Sequence, residues 1–386
     1  MNIPTDRKTL KIGIDCRFWG VNAGIGRYIR NLIFHLQKLD KRNKYFLFLK
    51  KQDFEKVNLN NNFTKIVADF KWYSISEQIG MTWVLSKNNL DLVHFPHFNM
   101  PFFWPGKFIV TIHDLTHQYF QMRRVTTHNP FIYKIKRISY KIIFKKAVNY
   151  SAKILVPSNY VKNLLKKEWD INPQKITVTY EGVEDKFLSI EKKLNLKSSI
   201  IKMSNVLNNF DIEQPYLFYV GNAHPHKNVE GLIKAFLLLQ KKYQNLKLVL
   251  SGEDQNFWPR IKREFQYPGI IYTGFVNEEE LIVLYKNAAC FVMSSFEEGF
   301  GIPILEAMAC STPIAASNVA SLPEIGGSAV NYFDPFNIED IVEKIEHILR
   351  DKKFQKELIE KGRKRVRLFS WEKMAQQTLE CYRLCA

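Results

Sequence analysis

Two carboxylates in a glycine-rich stretch are the side chains best placed for chemistry. Residues 294–309 read SSFEEGFGIPILEAMA, with Glu298 in the loop and Glu306 eight positions later. Pro303 suits the first turn of a helix, where its missing N–H would have no partner anyway. Backbone N–H groups at a glycine-rich helix start bind phosphate oxygens, and carboxylates accept hydrogen bonds from hydroxyl groups. The stretch therefore predicts a site for a diphosphate ligand rich in hydroxyl groups. The alternative is that Glu306 only caps its own helix.

A lysine and a histidine elsewhere in the chain also follow apolar runs. Lys227 comes after the run at 216–221, and an ammonium there would offset negative charge developing on a departing diphosphate. His113 follows the run at 108–112, which places it at the carboxyl end of a predicted strand. The plainer alternatives are a solvated surface lysine and a structural histidine.

Short apolar runs that alternate with helical patterns must position these residues. The chain opens with a predicted strand at 10–15, a loop containing Gly24 and Gly26, and a helix with apolar residues at helical spacing from Tyr28 to Leu39. Further strands are predicted at 45–49, 92–95, 108–112, 154–156, 216–221, 246–250, 270–272, 290–293 and 313–316. Helices are predicted at 229–241 and 278–287. The pattern indicates an α/β fold with parallel sheets wrapped by helices.

The length of 386 residues favours two domains, and 46% hydrophobic with 24% charged residues is a globular composition. Two Rossmann-like domains bind ligands at the carboxyl ends of their strands, so we expect a site in a cleft where the domains face each other. The predicted divisions are an N-terminal domain at 1–190, a linker at 191–210, a C-terminal domain at 211–368 and a final helix at 369–386.

The formal net charge of +18 is distributed unevenly. Residues 1–200 contain 34 Lys and Arg against 15 Asp and Glu, whereas residues 201–386 contain 22 against 23. Such a basic block indicates an anionic partner, either a nucleic acid or a membrane surface, or else a lysine-rich solvated surface. The basic residues fit no recognised nucleic-acid-binding motif, so we expect no nucleic acid partner.

The cysteines and the first residues bear on the cellular compartment. The five cysteines form no CxxC pair and have no histidines at metal-ligand spacing, so we expect reduced, mostly buried thiols and no metal site. The first ten residues lack the apolar core of a secretory signal, and no apolar run approaches the roughly 20 residues that span a bilayer. An intracellular protein is the resulting prediction.

With its glutamates separated by seven residues, the chain resembles the large retaining GT-B glycosyltransferase family. The resemblance extends through the motifs at 24–27 (GIGR), 111–114 (TIHD), 221–228 (GNAHPHKN) and 321–324 (SLPE). It implies that Glu298 contacts the transferred sugar and Glu306 the ribose. It also implies two Rossmann-like domains, with a last helix that can cross back to the first domain. Further donor contacts implied by the resemblance are Gly24, Gly26, Lys227, Gly299, Phe300 and Gly301.

The resemblance assigns His113 to the catalytic site beside the transferred sugar, together with Glu298. Two positions depart from the family pattern. Asn222 stands where many members have an arginine of the diphosphate clamp, so this donor contact is altered, and His224 or His226 is a weak candidate replacement. The run YEGV at 180–183 replaces the Pro-Asn-Gly-Val of many relatives, which puts a donor contact there in doubt.

The implied mechanism is front-face transfer with retention, in which the leaving phosphate oxygen takes the acceptor proton. No cofactor and no metal are expected, because the sequence has no Asp-x-Asp motif or ligand cluster that calls for a divalent metal. This agrees with the implied fold, in which a helix dipole and Lys227 neutralise the diphosphate. The motifs at 94–101, 111–117 and 221–228 look like those of bacterial mannosyltransferases of surface polysaccharide synthesis, including lipopolysaccharide. GDP-mannose is therefore the expected donor, and a saccharide or lipid-linked saccharide is the expected acceptor. Open alternatives are a UDP- or ADP-linked donor, an epimerase, a phosphorylase and a basic nucleic-acid-binding protein.

A basic amphipathic helix is predicted at 131–148, where six Lys and Arg residues alternate with apolar side chains. Phe98, Phe102, Phe103 and Trp104 would add an interfacial anchor. These features predict a peripheral protein on an anionic membrane surface, at the cytoplasmic face of the inner membrane. The alternative is that the apolar stripe packs into the core and only the lysines are exposed.

Overall fold

The computed structural model describes residues 8–21, 24–116, 130–189, 205–255 and 257–386, with the backbone alone at 130–137. The chain divides into two compact units. Among the described residues, the first contains those up to Leu115, those from 130 to 181, and Trp371–Ala386. The second contains Gly182–Ser370. Most of the predicted linker at 191–210 lies outside the described residues.

The first unit contains a seven-stranded parallel sheet in the order β3-β2-β1-β4-β5-β6-β7. Its apolar, β-branched runs are buried on both faces, as expected for parallel strands covered by helices. The strands are β1 (Lys11–Asp15), β2 (Lys44–Leu49), β3 (Phe63–Val67), β4 (Leu92–Phe95), β5 (Phe108–Thr111), β6 (Lys153–Val156) and β7 (Ile176–Val178). Because all seven strands are parallel, their carboxyl ends share one edge of the sheet.

Helices cover the first sheet. They are α1 (Gly24–Leu39), α2 (Lys51–Phe54), α3 (Ile75–Ser86), α4 (Pro130–Tyr150) and α5 (Asn159–Trp169). Ser74 and Ser158 cap α3 and α5, since each side chain accepts a hydrogen bond from a backbone N–H of the first turn. The segment 96–106 connects β4 to β5 and contributes Phe98, Met100 and Trp104 to the core.

The second unit contains a six-stranded parallel sheet in the order β10-β9-β8-β11-β12-β13. Its strands are β8 (Tyr216–Val220), β9 (Lys247–Ser251), β10 (Ile270–Gly274), β11 (Cys290–Met293), β12 (Ile314–Ser317) and β13 (Asn331–Phe333). Its helices are α6 (Asp185–Leu188), α7 (Val229–Lys242), α8 (Trp258–Glu264), α9 (Glu278–Asn287), α10 (Ile302–Ala309), α11 (Leu322–Gly326), α12 (Ile338–Arg350) and α13 (Lys352–Val366). The α/β fold with two parallel sheets is thus confirmed.

The last helix, α14 (Trp371–Cys385), belongs to the first unit, although it follows the second unit in sequence. The ring centroid of its Trp371 lies 6.5 Å from that of Tyr28 on α1. The hydroxyl of Tyr382 forms a 2.7 Å hydrogen bond with Nδ1 of His94 on β4. The prediction that this helix crosses back to the first domain is confirmed.

The predicted basic helix is present as α4, but its apolar residues are divided between core and surface. Phe144 and Val148 are buried, while Ile138 and Ile142 are exposed. The side chains at 131–137, including three of the predicted basic residues, lie outside the described residues. Phe98 and Trp104 are buried in the core, so the prediction that they form an interfacial anchor is wrong.

Four of the cysteines are buried as free thiols, and Cys385 is partly exposed. Burial raises the pKa of Cys16 well above its ordinary value, with the charge of Asp15 adding to the effect. Along the described parts of the chain, no helix combines the length and the apolarity needed to cross a bilayer.

Candidate active site

His113 lies just after β5, at the carboxyl edge of the first sheet, with both ring nitrogens engaged. Nδ1 is 3.1 Å from a carboxylate oxygen of Glu181, and Nε2 is 3.0 Å from the carbonyl oxygen of Pro96. A carbonyl only accepts, so Nε2 carries a proton. Nδ1 faces a carboxylate oxygen of Glu181, so each ring nitrogen has an acceptor beside it. The pair holds the imidazole in a fixed orientation.

A buried polar chain lies behind this histidine. Thr111 Oγ1 is 2.8 Å from Nε2 of His94 and 3.1 Å from the hydroxyl of Tyr28. The ring of Tyr28 packs edge-on against His113 at 4.8 Å between centroids. Burial, with the nearby His113, lowers the pKa of His94 to about 3, so His94 is neutral at physiological pH. Burial also raises the pKa of Tyr28, which keeps its hydroxyl protonated.

The two glycines near the start of the chain lie in the first turn of α1, not in a loop as predicted, because the helix begins at Gly24. They differ in their surroundings. A Cβ on Gly26 would lie 1.9 Å from the carbonyl oxygen of Val21, whereas a Cβ on Gly24 would meet nothing within 4 Å. Only Gly26 is therefore required by the packing of the backbone, and a donor contact at either glycine stays a prediction.

In the second unit, two residues predicted to bind the donor contact each other directly. Lys227 Nζ lies 2.6 Å from Oε1 of Glu298, and the side chains are 17% and 11% exposed. Ser295 Oγ donates to the same carboxylate oxygen at 2.8 Å. The pair lies at the carboxyl edge of the second sheet, because Lys227 follows β8 and Glu298 follows β11.

Hydrogen bonds fasten together the two loops that carry this pair. The hydroxyl of Ser294 donates to the carbonyl oxygens of Lys227 and Asn228 at 3.0 and 3.1 Å. The backbone N–H of Phe296 donates to the carbonyl oxygen of His226 at 2.7 Å. The separation between the ammonium and the carboxylate is thus set by backbone and serine contacts.

The loop from Gly299 to Gly301 leads into the N-terminus of α10. Gly301 has φ of +106°, a left-handed conformation that favours glycine. Ser321 donates to the carbonyl oxygens of Glu298 and Phe300 at 2.9 and 2.8 Å, which fixes the loop. Phe300 itself is buried, and a donor contact through its backbone stays a prediction. The first turn of α10 includes Pro303, as predicted.

Glu306 lies on α10 and is only 1% exposed. The hydroxyl of Tyr285 on α9 donates to its Oε2 at 2.7 Å. In this conformation the Glu306 side chain packs in the interior beside α9. A contact with ribose stays a prediction.

Asn222 is exposed in the loop after β8. Its side-chain oxygen accepts from the backbone N–H of His224 at 3.2 Å, and its carbonyl accepts from the hydroxyl of Tyr219 at 2.7 Å. Burial and the charge of Glu298 raise the pKa of Tyr219 well above its ordinary value. Asn222 therefore shapes the loop, with its side chain turned back onto its own backbone.

Several residues that support the site were not singled out from the sequence. Glu181 carried a signal, since it departs from the family pattern, but its partner 68 positions away was not predictable. Ser294 and Ser295 lie inside the glycine-rich stretch, but no sequence pattern predicts the contacts of their hydroxyls. The described residues contain no group of three or more His, Cys, Asp or Glu side chains that could hold a metal ion.

Comparison with known proteins identifies the chain. Residues 22–187 match the family model "Glycosyltransferase Family 4", and residues 205–365 match "Glycosyl transferases group 1". The chain belongs to the glycosyltransferases that these two models describe, which together match most of its length. A glycosyltransferase from Rickettsia africae has the same fold, with a TM-score of 0.72 and 19% identity over 98% of this chain and 99% of that chain.

Two curated relatives of this glycosyltransferase are bacterial mannosyltransferases. The O-antigen chain mannosyltransferase B of Escherichia coli is 39% identical over 176 residues, which is 44% of this chain and 46% of that protein. The O-antigen chain mannosyltransferase RfbU of Salmonella typhimurium is 25% identical over 72% of this chain and 70% of that protein. The match thus spans less than half the length of the first relative.

Proposed function

We propose that this glycosyltransferase moves mannose from GDP-mannose to a saccharide acceptor with retention of anomeric configuration. The observation that carries the proposal is the contact of 2.6 Å between Lys227 Nζ and Glu298 Oε1, beside the N-terminus of α10. A cation and an anion held this closely suit a ligand that has a diphosphate next to a hydroxyl-bearing sugar.

In the proposed reaction, Lys227 and the N-terminus of α10 stabilise negative charge on the departing diphosphate. Glu298 accepts hydrogen bonds from sugar hydroxyls and so orients the ring. The bond between the anomeric carbon and the phosphate oxygen breaks, and the acceptor oxygen bonds to that carbon on the same face. The acceptor proton passes to the leaving phosphate oxygen, so no protein nucleophile is required. His113, fixed by Glu181, would contact the transferred sugar.

The choice of mannose and of a polysaccharide product is supported by the names of the relatives. Both are mannosyltransferases of O-antigen chains. The proposal includes metal-independent transfer, in which Lys227 supplies the positive charge that a divalent cation supplies in other transferases.

The proposed acceptor is a lipid-linked saccharide, and the proposed location is the cytoplasmic face of the inner membrane. The support is the basic excess within residues 1–200 and the exposed Lys141 and Lys145 on α4. Surface lysines contribute roughly 1 kcal/mol each to adhesion on an anionic membrane. Peripheral binding should therefore weaken as the salt concentration rises.

A panel of nucleotide sugars tests the donor. Purified protein is incubated with GDP-mannose, UDP-glucose and ADP-glucose, and release of the nucleoside diphosphate is measured with Glu298→Gln as the control. The proposal expects fastest release from GDP-mannose, unaffected by EDTA. Faster release from a UDP or ADP sugar would identify another donor, and loss with EDTA that magnesium restores would contradict metal independence. A β-linked product from the α-linked donor would contradict retention.

A further inference from the structure

Helix α3 carries a row of large apolar side chains that point into solvent. Ile75, Ile79 and Trp83 are 79%, 64% and 59% exposed, and their spacing of four residues places them on one face of the helix. The opposite face supplies Met81 and Leu85 to the core. Isolated exposed apolar residues are ordinary, but a contiguous row of this kind marks an interaction surface.

Exposed apolar side chains also lie on neighbouring elements of the first unit. The side-chain oxygen of Gln78 on α3 accepts from the backbone N–H of Phe102 at 2.5 Å, and the carbonyl oxygen of Phe102 accepts from Lys146 on α4. Segment 96–106 is therefore held between α3 and α4, and its Phe103 is 67% exposed. We call the following set the apolar face: Ile75, Ile79, Trp83, Phe103, Ile138 and Ile142.

The charges around the apolar face have almost a single sign. Segments 71–87, 96–107 and 138–150 contain one carboxylate, Glu77, which is buried and bonded to Arg17. The same segments contain six lysines: Lys71, Lys87, Lys107, Lys141, Lys145 and Lys146. Lys87 places its ammonium 3.2 Å from the ring centroid of Trp83. A surface that combines apolar side chains with lysines has the composition of one that lies in an anionic lipid interface.

A groove adjoins the apolar face. It has a volume of about 620 Å³ and is lined by rings and aliphatic groups, including Trp104, Ile142 and Tyr150, with Lys145 and Lys146 also in its wall. The indole N–H of Trp104 is buried and has no hydrogen-bond partner among the described residues. An apolar groove with cations in its wall suits the acyl chain and headgroup of an anionic amphiphile better than it suits a polar macromolecule.

We propose that the apolar face is the surface through which the first unit lies on an anionic lipid bilayer. The aliphatic and aromatic side chains enter the headgroup region, while the lysines contact lipid phosphates. This assigns the main contact to α3 and Phe103, whereas the sequence pattern pointed to α4 and the aromatic residues at 98–104 and did not include α3.

The position of α3 relates this surface to the chemistry of the same unit. Glu77 in the first turn of α3 accepts from Arg17, after β1, at 2.6 Å and from Asn99, after β4, at 2.9 Å. Both partners lie at the carboxyl edge of the sheet, which also carries His113. The apolar face therefore begins at this edge, where a lipid-linked acceptor would arrive, a role that rests on the proposed function.

The test compares the double variant Ile79→Ser/Trp83→Ser with wild type and with Leu384→Ser. Leu384 is 74% exposed on α14, so its variant removes a similar exposed apolar group elsewhere in the unit. Binding is measured by co-sedimentation with vesicles of phosphatidylcholine and phosphatidylglycerol, and with phosphatidylcholine alone. We expect at least about tenfold weaker partition of the double variant onto the anionic vesicles, and no change for Leu384→Ser.

Quenching of tryptophan fluorescence by brominated phosphatidylcholine gives a second readout. Vesicles that also contain phosphatidylglycerol should quench the wild type, and Trp83→Phe should lose most of that quenching while still binding. Absence of wild-type binding to both vesicles, or unchanged binding of the double variant, overturns the proposal. A wild-type dimer that the double variant dissociates on size exclusion also overturns it, because the face would then join two copies. Nucleotide release in solution is independent of vesicles, so its failure would contradict the proposed transfer but not this surface.

Discussion

The two units share a parallel α/β architecture but hold their polar residues in different ways. In the second unit, Lys227 and Glu298 touch each other, and serines from the same loops fasten them. In the first unit, His113 is held by Glu181 and by the carbonyl of Pro96, neither of which belongs to its own motif. The two pairs join residues 71 and 68 positions apart, so sequence distance does not separate them. Lys227 and Glu298 each belong to a motif that marks them as candidates, whereas Glu181 stands where the family motif is altered.

The largest expected effect concerns the pair in the second unit. Lys227→Ala and Glu298→Gln should each lower turnover by about 100-fold, because each removes a charged group from around the departing diphosphate and the sugar. Glu298→Gln should impair transfer more than nucleotide binding, measured by calorimetry with GDP. Equal losses in both would assign Glu298 to the nucleotide. Full activity of folded Lys227→Ala at limiting donor would remove Lys227 from the site.

A glycine pair in the first unit tests which backbone positions are sterically constrained. Gly26→Ala should lower the free energy of unfolding by about 2 to 3 kcal/mol, because its Cβ would lie 1.9 Å from the Val21 carbonyl oxygen. Gly24→Ala should change it by less than about 0.5 kcal/mol. Denaturation in urea measures both variants. Similar stabilities of the two would show that the turn before α1 relaxes freely.

The buried chain of the first unit should make its stability depend on pH. Burial lowers the pKa of His94 to about 3, whereas an unfolded histidine titrates near 6.5. Below about pH 6.5 the unfolded state therefore binds more protons, and the free energy of unfolding falls as the pH falls. Between pH 7 and 5 the loss attributable to His94 is about 2 kcal/mol. His94→Gln should abolish this part of the loss in urea titrations, and an unchanged pH dependence would assign it to other groups.

The smallest effect is expected at Glu181. Glu181→Gln keeps the size of the side chain but replaces the carboxylate that faces Nδ1 of His113 with a neutral amide. We expect about a tenfold loss of turnover with little change in donor affinity, because the imidazole loses the anion that orients it. Turnover and donor affinity of the variant are measured beside those of the wild type. Unchanged turnover of folded Glu181→Gln would contradict a positioning role for Glu181.

Much of the fold was predictable because parallel strands buried on both faces leave clear apolar runs. The strands at 92–95 and 290–293 and the helix at 278–287 have the predicted bounds. Strands β3, β7 and β13 were missed, since FTKIV, ITV and NYF are short or polar at the sheet margins. Helix α3 was missed because its apolar residues lie on both faces, which obscures the helical periodicity.

The candidate site was predictable at positions where the backbone conformation favours one residue type. Gly301, with its positive φ, and Pro303, in a first turn, are positions where backbone chemistry selects the residue. The burial of Glu306 beneath Tyr285 was not predictable, because it depends on how α9 packs against α10. Phe98 and Trp104 illustrate the same limit: aromatic residues near a basic helix have the same composition whether they are buried or exposed.

The return of α14 to the first unit has a consequence for synthesis on the ribosome. The main part of the second unit, Gly182–Ser370, is a single stretch of sequence and can form its core once Ser370 has emerged. The first unit lacks its partner for Tyr28 and His94 until Trp371 and Tyr382 are translated. The half of the protein that is made first is therefore completed last, and a release of the chain before Trp371 would leave an uncovered apolar surface for chaperones to recognise.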